Sequence, residues 1–522
     1  MSKQSFIKGT LILLGAGIIT RILGFIPRIA LPRVIGAEGV GLYQLGWPFL
    51  VLILTLISGG IPLAVSKLIA QAEAEGNERR VSTILRIALT FSVILATILT
   101  TLSYTFAPWI TKHLLTDPRV YYTFMCMGPV ILIASVSAVY RGYFQGRHNM
   151  IPTASSQIAE TTIRIIMILL FSFLMLPYGI HFAAAGAMVG VMIGELGGIA
   201  VLYFYYRQGL KNKKRSAVLV SSAEPSMGRL NIFKQLLSIS IPVTGNKLIG
   251  ATSYLVESIL IAKCLAIAGV ATALATAQYG ALQGMVIPIL LLPTALTYSL
   301  STVLIPSLSE AAAHKDTNLI HSRMNQSLRL ALVSGAPFAV IMFVLASPLT
   351  QLMYNNAEVG IMLKMMAPVA LFIYLQAPLQ AALQVLDRPG TALFNTLISA
   401  TVKLALIYFL VRQPEIGIKG AIIAINANTI IVTILHLFAV QRALKFTVNG
   451  YDMLKVCVAM TVSGLLCNAV MEIPWTASEG IRFFAACIIA LATYLFMILI
   501  LKLINRSDLS RILRMGRKIV KT

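Results

Sequence analysis

Three arginines interrupt the first apolar stretch of this sequence. Arg21, Arg28 and Arg33 lie in the segment TRILGFIPRIALPR, inside an apolar run that begins near Phe6. A charged side chain at the centre of a bilayer costs roughly 2.5–3.5 kcal/mol on insertion scales. The guanidinium group presents a planar fork of N–H donors that matches phosphate and diphosphate groups. The arginines therefore predict a binding site for an anion, and for a phosphate-bearing anion in particular.

The composition of the chain is that of a multispanning membrane protein. Of its 522 residues 58% are hydrophobic and only 11% are charged, and the mean hydropathy is +0.85. Apolar runs of about 20 residues recur, which is the length of a membrane-spanning helix. The net charge of +24 lies mostly in loops between these runs. That placement favours anionic membrane lipids as partners and argues against nucleic acid.

The hydropathy pattern predicts an all-α integral membrane protein with about fourteen transmembrane helices. The N-terminal segment MSKQSFIKGT places Lys3 and Lys8 before an apolar run, as in a signal peptide, but we interpret the run as an uncleaved first span. Pro288 and Pro293 interrupt a long eighth span. The predicted spans are 7–31, 41–65, 84–106, 122–142, 153–177, 182–206, 235–260, 275–305, 328–348, 362–385, 391–412, 418–440, 453–471 and 481–504.

Short segments recur in the two halves of the chain, in the same order. RVSTILRIAL, starting at Arg80, matches RMNQSLRLAL, starting at Arg323, and two further pairs follow at a similar offset of roughly 240 residues. Six spans separate corresponding segments, so both copies have the same sidedness and form a parallel repeat. We therefore expect two six-helix lobes plus two further C-terminal helices. The predicted division is an N-lobe at 1–206, a basic linker at 207–234, a C-lobe at 235–440, two spans within 441–504 and a basic tail at 505–522.

The distribution of basic residues predicts the orientation in the membrane. The segment RQGLKNKKR after the sixth span and the tail after the last span are strongly basic, and the alternate loops are poorer in Lys and Arg. Cytoplasmic loops carry the excess of Lys and Arg. We therefore expect both termini to be cytoplasmic.

Charged residues inside the predicted spans are the candidates for function. They are expected to face a polar interior rather than lipid. Arg21 and Arg28 are nearly two helical turns apart and would point the same way, unless Pro27 and Pro32 bend the helix. Glu160 and Arg164 are spaced to pair. The candidates for a cationic substrate-binding cavity are Arg21, Arg28, Arg33, Arg164, Lys247 and Lys403, and those for ion or proton coupling are Glu160, Glu195 and Glu257.

Simpler explanations exist for several of these residues. Glu160 and Arg164 could form only an internal ion pair, and Arg33 and Glu257 could simply reach the membrane interface. For catalysis, cofactors and metals the sequence offers no motif: no phosphate-binding P-loop, no HExxH and no paired CxxC occurs. We therefore expect no catalytic residues, no metal site, no cofactor and no enzyme activity.

Four stretches of the chain resemble the stage V sporulation protein B group. This group belongs to the polysaccharide-exporter branch of the multidrug/oligosaccharidyl-lipid/polysaccharide flippase superfamily. The stretches are TRILGFIPRIALPRVIGAEGVGLY, RGYFQGRHNMIPTASSQ, AIAGVATALATAQYGALQG and LSTVLIPSLSEA. The resemblance implies a role in spore cortex peptidoglycan formation, a location in the membrane around the forespore, and cortex synthesis enzymes as partners.

The chain also resembles, more distantly, the MurJ lipid II flippases, and so a MATE/MurJ-like fold. Their first-span pattern S-R-x-L-G-F is similar to the segment from Thr20 to Phe25, and a later arginine corresponds to Arg33. Pro27 stands where MurJ proteins often have an arginine, with Arg28 one place on. The resemblance carries a binding role directly to Arg21 and less directly to Arg28 and Arg33. We infer from the residues alone that Lys247 and Lys403 replace missing cations.

The function expected from residues and resemblance together is a lipid-linked saccharide flippase. Its substrate would be an undecaprenyl-diphosphate-linked peptidoglycan precursor. The negative charge of its diphosphate would balance the positive charge of the arginines. Four alternatives remain open at this point: another polysaccharide repeat unit as cargo, a drug–cation antiporter, a non-transporting scaffold for cortex synthesis, and a membrane glycosyltransferase. The cationic interior argues against the antiporter, and the poorly acidic outer loops argue against the glycosyltransferase.

Overall fold

The computed structural model describes residues 6–503 except 217–227, 315, 446, 448–449 and 474–477. Within these residues the secondary structure is entirely helical. The helices are α1 Phe6–Leu23, α2 Phe25–Ser58, α3 Ile61–Ala74, α4 Glu78–Trp109, α5 Val120–Met125, α6 Met127–Gly146, α7 Ile151–Met175, α8 Ile180–Ser216, α9 Arg229–Ile267, α10 Thr272–Gly280, α11 Ile287–Leu291, α12 Thr294–Ala313, α13 Thr317–Val344, α14 Ala346–Tyr354, α15 Val359–Met366, α16 Ala370–Val385, α17 Pro389–Val411, α18 Ile418–Leu444, α19 Gly450–Glu472 and α20 Glu479–Ile500.

Thirteen helical stretches among the described residues are long and apolar enough to cross a membrane. Each of the fourteen predicted spans overlaps one or more helices among the described residues, and the first two merge into one stretch, Gly15–Ala74. The predicted eighth span is divided as expected. A π-helical turn, Ala281–Val286, follows α10, and the chain leaves helical geometry again at Pro293 between α11 and α12. The all-helical membrane fold is therefore confirmed.

The chain divides into two compact units. Unit 1 comprises Met1–Met285 and Ile407–Ile418, and unit 2 comprises Val286–Leu406 and Lys419–Thr522. The repeat-based division into lobes at 1–206 and 235–440 remains a prediction. The middle of the predicted linker, 217–227, and the predicted tail, 505–522, lie outside the described residues.

Two glycines break the helix that carries the arginines. At Gly24, α1 ends and α2 begins, although the Gly24 N–H still bonds to the Thr20 carbonyl at 2.9 Å. At Gly36, within α2, the backbone has φ 66° and ψ −179°. That region is essentially restricted to glycine, because any Cβ would be strained there. The interruption at Gly24 adjoins Leu23, whose carbonyl receives no N–H from Pro27, whereas Pro32 lies within α2 and the second break is at Gly36.

A glycine face brings α7 and α8 into close contact. Gly186, Gly190, Gly194 and Gly198 recur every four residues along α8 and so lie on nearly one face. A Cβ at Gly190 would overlap the backbone of Ile168 on α7, and one at Gly194 would meet Arg164 at 2.6 Å. Small residues let membrane helices approach to backbone contact. The charged residues of α7 are therefore held directly against α8.

The rest of unit 1 has an apolar core at one end, where α3, α4 and α6 pack together. Its members include Val65, Leu68, Ile84 and Phe144, all at most 2% exposed. In unit 2 the last two spans, α19 and α20, pack on α13. There the Tyr494 hydroxyl donates to the Val333 carbonyl at 3.1 Å.

Candidate substrate-binding site

Four charged side chains form a cluster inside unit 1, in which Glu160 is buried and the other three are partly buried. Glu160 on α7 accepts hydrogen bonds from Arg164 on the same helix and from Arg141 on α6. The Arg164 Nη2 also lies 2.8 Å from the Glu195 Oε1 on α8. Glu160 is only 7% exposed. This group, called the ion cluster below, joins three predicted candidates with Arg141, which the sequence did not suggest.

The ion cluster exists because three helices meet there. Glu160 and Arg164 are one turn apart on α7, as their spacing predicted. The glycine face of α8 brings Glu195 within reach of Arg164, since Gly194 packs on the Arg164 backbone. Arg141 enters from α6, which also packs against α8.

The ion cluster is electrically balanced. Two guanidinium groups face two carboxylates, so the cluster as a whole adds no net charge to the interior. Buried charges are tolerated only when they are paired and hydrogen-bonded, as these are. Arg164 was a candidate cation of the substrate cavity, but its charge is engaged by two glutamates. The net positive charge available for an anion must come from the other cations of unit 1.

The first-span arginines are exposed on the surface of unit 1. Arg21 occupies the last turn of α1, and Arg28 and Arg33 lie on α2 between the two glycine breaks. All three side chains are exposed. The Arg28 guanidinium lies 5.7 Å from the centroid of the Phe25 ring, a cation–π distance. The broken helix thus presents three guanidinium groups within thirteen residues of sequence.

Two tyrosines of unit 1 lie within electrostatic range of Arg28. Tyr43 is also within this range of Arg164. Tyr254 is also within this range of Glu257. Neither tyrosine was a candidate from the sequence, because a tyrosine in an apolar run gives no signal of its own.

The remaining candidates have separate partners. The Lys247 Nζ donates to the Gly59 carbonyl at 2.8 Å, where α2 ends. A cation is favoured at a helix C-terminus, so this contact also has a structural purpose. Glu257 is 6% exposed and accepts from the Gln283 amide at 3.1 Å, so it does not reach an interface. Lys403 lies half-buried on α17, in unit 2.

A second polar network lies in unit 1 beside the Gly36 break. Arg119 donates two hydrogen bonds to the Asp117 carboxylate, at 3.1 and 2.9 Å, and one to the Glu38 carboxylate at 2.6 Å. Thr276 on α10 donates to the same aspartate at 2.8 Å. The hydrogen bonds from Arg119 to Asp117 raise the pKa of Arg119 further above its usual range, so it stays charged. This network ties α2, the 115–119 loop and α10 together.

The described residues hold no group of three or more His, Cys, Asp or Glu side chains placed to bind a metal ion. The arrangement that the described residues do offer is a neutral ion cluster beside exposed arginines. Such an arrangement can bind and release an anion without covalent chemistry.

The fold and these charged groups define a multi-pass helical membrane protein with charged side chains between its helices. Residues 6–312 match the family described as polysaccharide biosynthesis protein. The chain is 40% identical over 524 residues to stage V sporulation protein B of Bacillus subtilis (strain 168), covering 100% of both chains. The chain therefore belongs to the polysaccharide biosynthesis protein family and, within it, to the stage V sporulation protein B group.

MurJ proteins are more distant relatives. The chain is 26% identical over 490 residues to the lipid II flippase MurJ of Bacillus subtilis (strain 168), covering 90% of this chain and 88% of the relative. A solved structure of the lipid II flippase MurJ in an inward closed conformation superposes with a TM-score of 0.70. It is 17% identical and covers 92% of this chain and 96% of that chain. This structural likeness establishes the fold.

Proposed function

We propose that this protein is a flippase for a lipid-linked saccharide. Its substrate is an undecaprenyl-diphosphate-linked peptidoglycan precursor, which it moves from the cytoplasmic to the outer leaflet for spore cortex synthesis. The diphosphate headgroup crosses along the protein while the lipid tail stays in the bilayer. Alternation between two access states provides the passage, as in transporters built from repeated bundles.

The observation that carries this proposal is the exposed arginine series on the broken first span. Arg21, Arg28 and Arg33 are exposed, and the ion cluster of the same unit is balanced in formal charge. A diphosphate carries the negative charge that guanidinium groups bind, and a guanidinium can bind its oxygens in a bidentate manner. An organic cation, the cargo of a drug antiporter, would be repelled. The names of the relatives support the same assignment, since MurJ is described as a lipid II flippase.

The location, orientation and partners belong to the same proposal. The protein is placed in the outer membrane of the forespore with both termini in the cytoplasm. The relative named stage V sporulation protein B supports this setting. Cortex synthesis enzymes on the outer side would use the translocated precursor. Anionic lipids would surround the basic loops.

The test is headgroup translocation by the purified protein in liposomes. Lipid II, an undecaprenyl-diphosphate-linked capsule repeat unit and undecaprenyl phosphate without a saccharide are offered separately. We expect lipid II to be flipped fastest, and empty liposomes to show only slow background exchange. Faster movement of the capsule repeat unit than of lipid II would show that the capsule repeat unit is the preferred substrate. No protein-dependent movement of any of the three would contradict the flippase assignment.

A further inference from the structure

Unit 1 has a groove whose chemistry differs from that of the candidate site. It lies between the first turns of α4 and the start of α9 and has a volume of about 490 Å³. Its lining residues are Thr83, Arg86, Ile87, Thr90, Phe91, Ile94, Arg229 and Phe233. This set contains two arginines and no carboxylate. The groove is called the α4/α9 groove below.

The charged end of the α4/α9 groove is formed by both helices. Arg86 comes from α4 and Arg229 is the first residue of α9, and both side chains are exposed. Neither guanidinium has a hydrogen bond or ion pair to another described residue. The N-terminus of the 39-residue α9 adds backbone N–H groups that no side chain caps. Helix N-termini and paired arginines both favour phosphate.

The other end of the groove is apolar. Phe91 and Phe233 form an edge-to-face pair across it, with ring centroids 5.3 Å apart. Ile94 follows Arg86 by eight residues, about 12 Å further along α4, and is 54% exposed. Val93, seven residues from Arg86 and so on the same face, is 40% exposed. One helix face thus changes from cationic to apolar along the direction that crosses the bilayer.

We infer that the α4/α9 groove binds an anionic glycerophospholipid. The phosphate lies between Arg86 and Arg229, and an acyl chain follows Phe91 and Ile94 into the bilayer. Both helices belong to membrane-spanning stretches, so the apolar end of the groove lies in the lipid. The volume suits a phosphoglycerol headgroup with the start of its chains, whereas a diphosphate carrying a saccharide is much larger. The groove is therefore assigned to a membrane lipid rather than to the transported substrate, and the inference stands without the proposed function.

The experiment measures lipid retention by the purified full-length protein in detergent, using native mass spectrometry. Phosphatidylglycerol and phosphatidylcholine with identical acyl chains are the probes. We expect tighter binding of phosphatidylglycerol. Arg86→Gln and Arg229→Gln should each weaken it about tenfold, the ratio that one charge-assisted hydrogen bond provides. The matched control is Lys234→Gln. Lys234 is an exposed cation at the same end of α9 that does not line the groove, so this variant should bind phosphatidylglycerol as tightly as the unchanged protein.

A second variant distinguishes loss of the binding site from misfolding of the protein. Thr90→Trp fills the groove from an exposed position and leaves both arginines in place, so it should also abolish the tight phosphatidylglycerol binding. Equal affinity for the two phospholipids would overturn the inference, and so would unchanged binding by Thr90→Trp. Displacement of phosphatidylglycerol by a tenfold lower concentration of undecaprenyl diphosphate would also overturn it, because the groove would then belong to the substrate.

Discussion

At the scale of single residues, Glu160 is the buried charge that two neighbouring arginines need as an ion-pair partner. It accepts hydrogen bonds from two arginines and is almost fully buried. Glu160→Gln leaves Arg141 and Arg164 with one carboxylate between them. Breaking a buried ion pair costs about 3–5 kcal/mol, since the remaining charge stays desolvated. We expect a loss of this size in thermal unfolding of the purified protein.

The control for Glu160 is an ion pair at the surface. Glu75 pairs with Arg80 at 2.5 Å, but its side chain is 52% exposed. Exposed pairs contribute about 0–1 kcal/mol, so Glu75→Gln should change the unfolding temperature little. Equal losses for the two variants would show that the ion cluster is not a buried network.

Arg21 is the residue on which substrate binding is expected to depend most. Charge-assisted hydrogen bonds contribute roughly 1.5–3 kcal/mol each, so Arg21→Ala should weaken binding of the lipid-linked diphosphate at least tenfold. Arg21→Lys keeps the charge but loses the planar fork, and should be intermediate. Arg388→Ala, at an exposed arginine between α16 and α17, is the control. Full restoration of heat-resistant spores to a null strain by well-expressed Arg21→Ala would favour a scaffold over a flippase.

At the scale of the helices, the contact between α7 and α8 positions the ion cluster. Gly190 packs on the Ile168 backbone, which cannot yield to a side chain. Gly190→Leu should therefore separate the helices and lower stability by about 3 kcal/mol or more, the upper range for overpacking. Gly209→Leu on the same helix has no atom within 4 Å of its Cβ position and should be tolerated. Thermal unfolding and flipping rates of both variants would be compared, and similar losses would contradict the close-packing argument.

Much of the helical structure could be predicted from the sequence, because the signals for single helices are local. Apolar runs gave every membrane span, and the i,i+4 spacing gave the pairing of Glu160 with Arg164. The contribution of Arg141 could not be predicted, because it comes from another helix and depends on how α6, α7 and α8 pack. The four-residue glycine repeat from Gly186 to Gly198 is a sequence signal for the close packing of α8 on α7.

The position of the bend in the first span shows a different limit of sequence reasoning. Pro27 and Pro32 were the residues that could bend this span, and the breaks lie at Gly24, within one turn of Pro27, and at Gly36. Pro27 falls in the first turn of α2, where its missing N–H has no intrahelical partner to lose. Pro32 lies inside α2, where neighbouring helices can compensate for the lost bond. The surrounding packing determines which of several prolines and glycines interrupts the helix.

At the scale of the whole molecule, the orientation can be tested on one helix. Tyr178 precedes α8 and is 76% exposed, and Gln208, also exposed, lies near its other end. In a chain whose five native cysteines are replaced by serine, a membrane-impermeant thiol reagent should label Tyr178→Cys in intact cells. It should label Gln208→Cys only after permeabilisation. The opposite pattern would reverse the orientation predicted from the basic loops.

The kink at Gly36 has a consequence for how the protein is made. The arginine-bearing part of α2 and the apolar part that follows it have no loop between them. A nascent chain therefore offers both parts to the translocon as one continuous stretch. Alone, the first span carries Arg21 and Arg28, with Arg33 just beyond it, and an arginine near the bilayer centre opposes insertion by roughly 2.5–3.5 kcal/mol. We expect glycosylation mapping in microsomes to show efficient insertion of the chain through residue 58 and poor insertion of a chain that ends before Gly36. The arginines to which we assign diphosphate binding would then enter the bilayer only together with the apolar stretch that follows them.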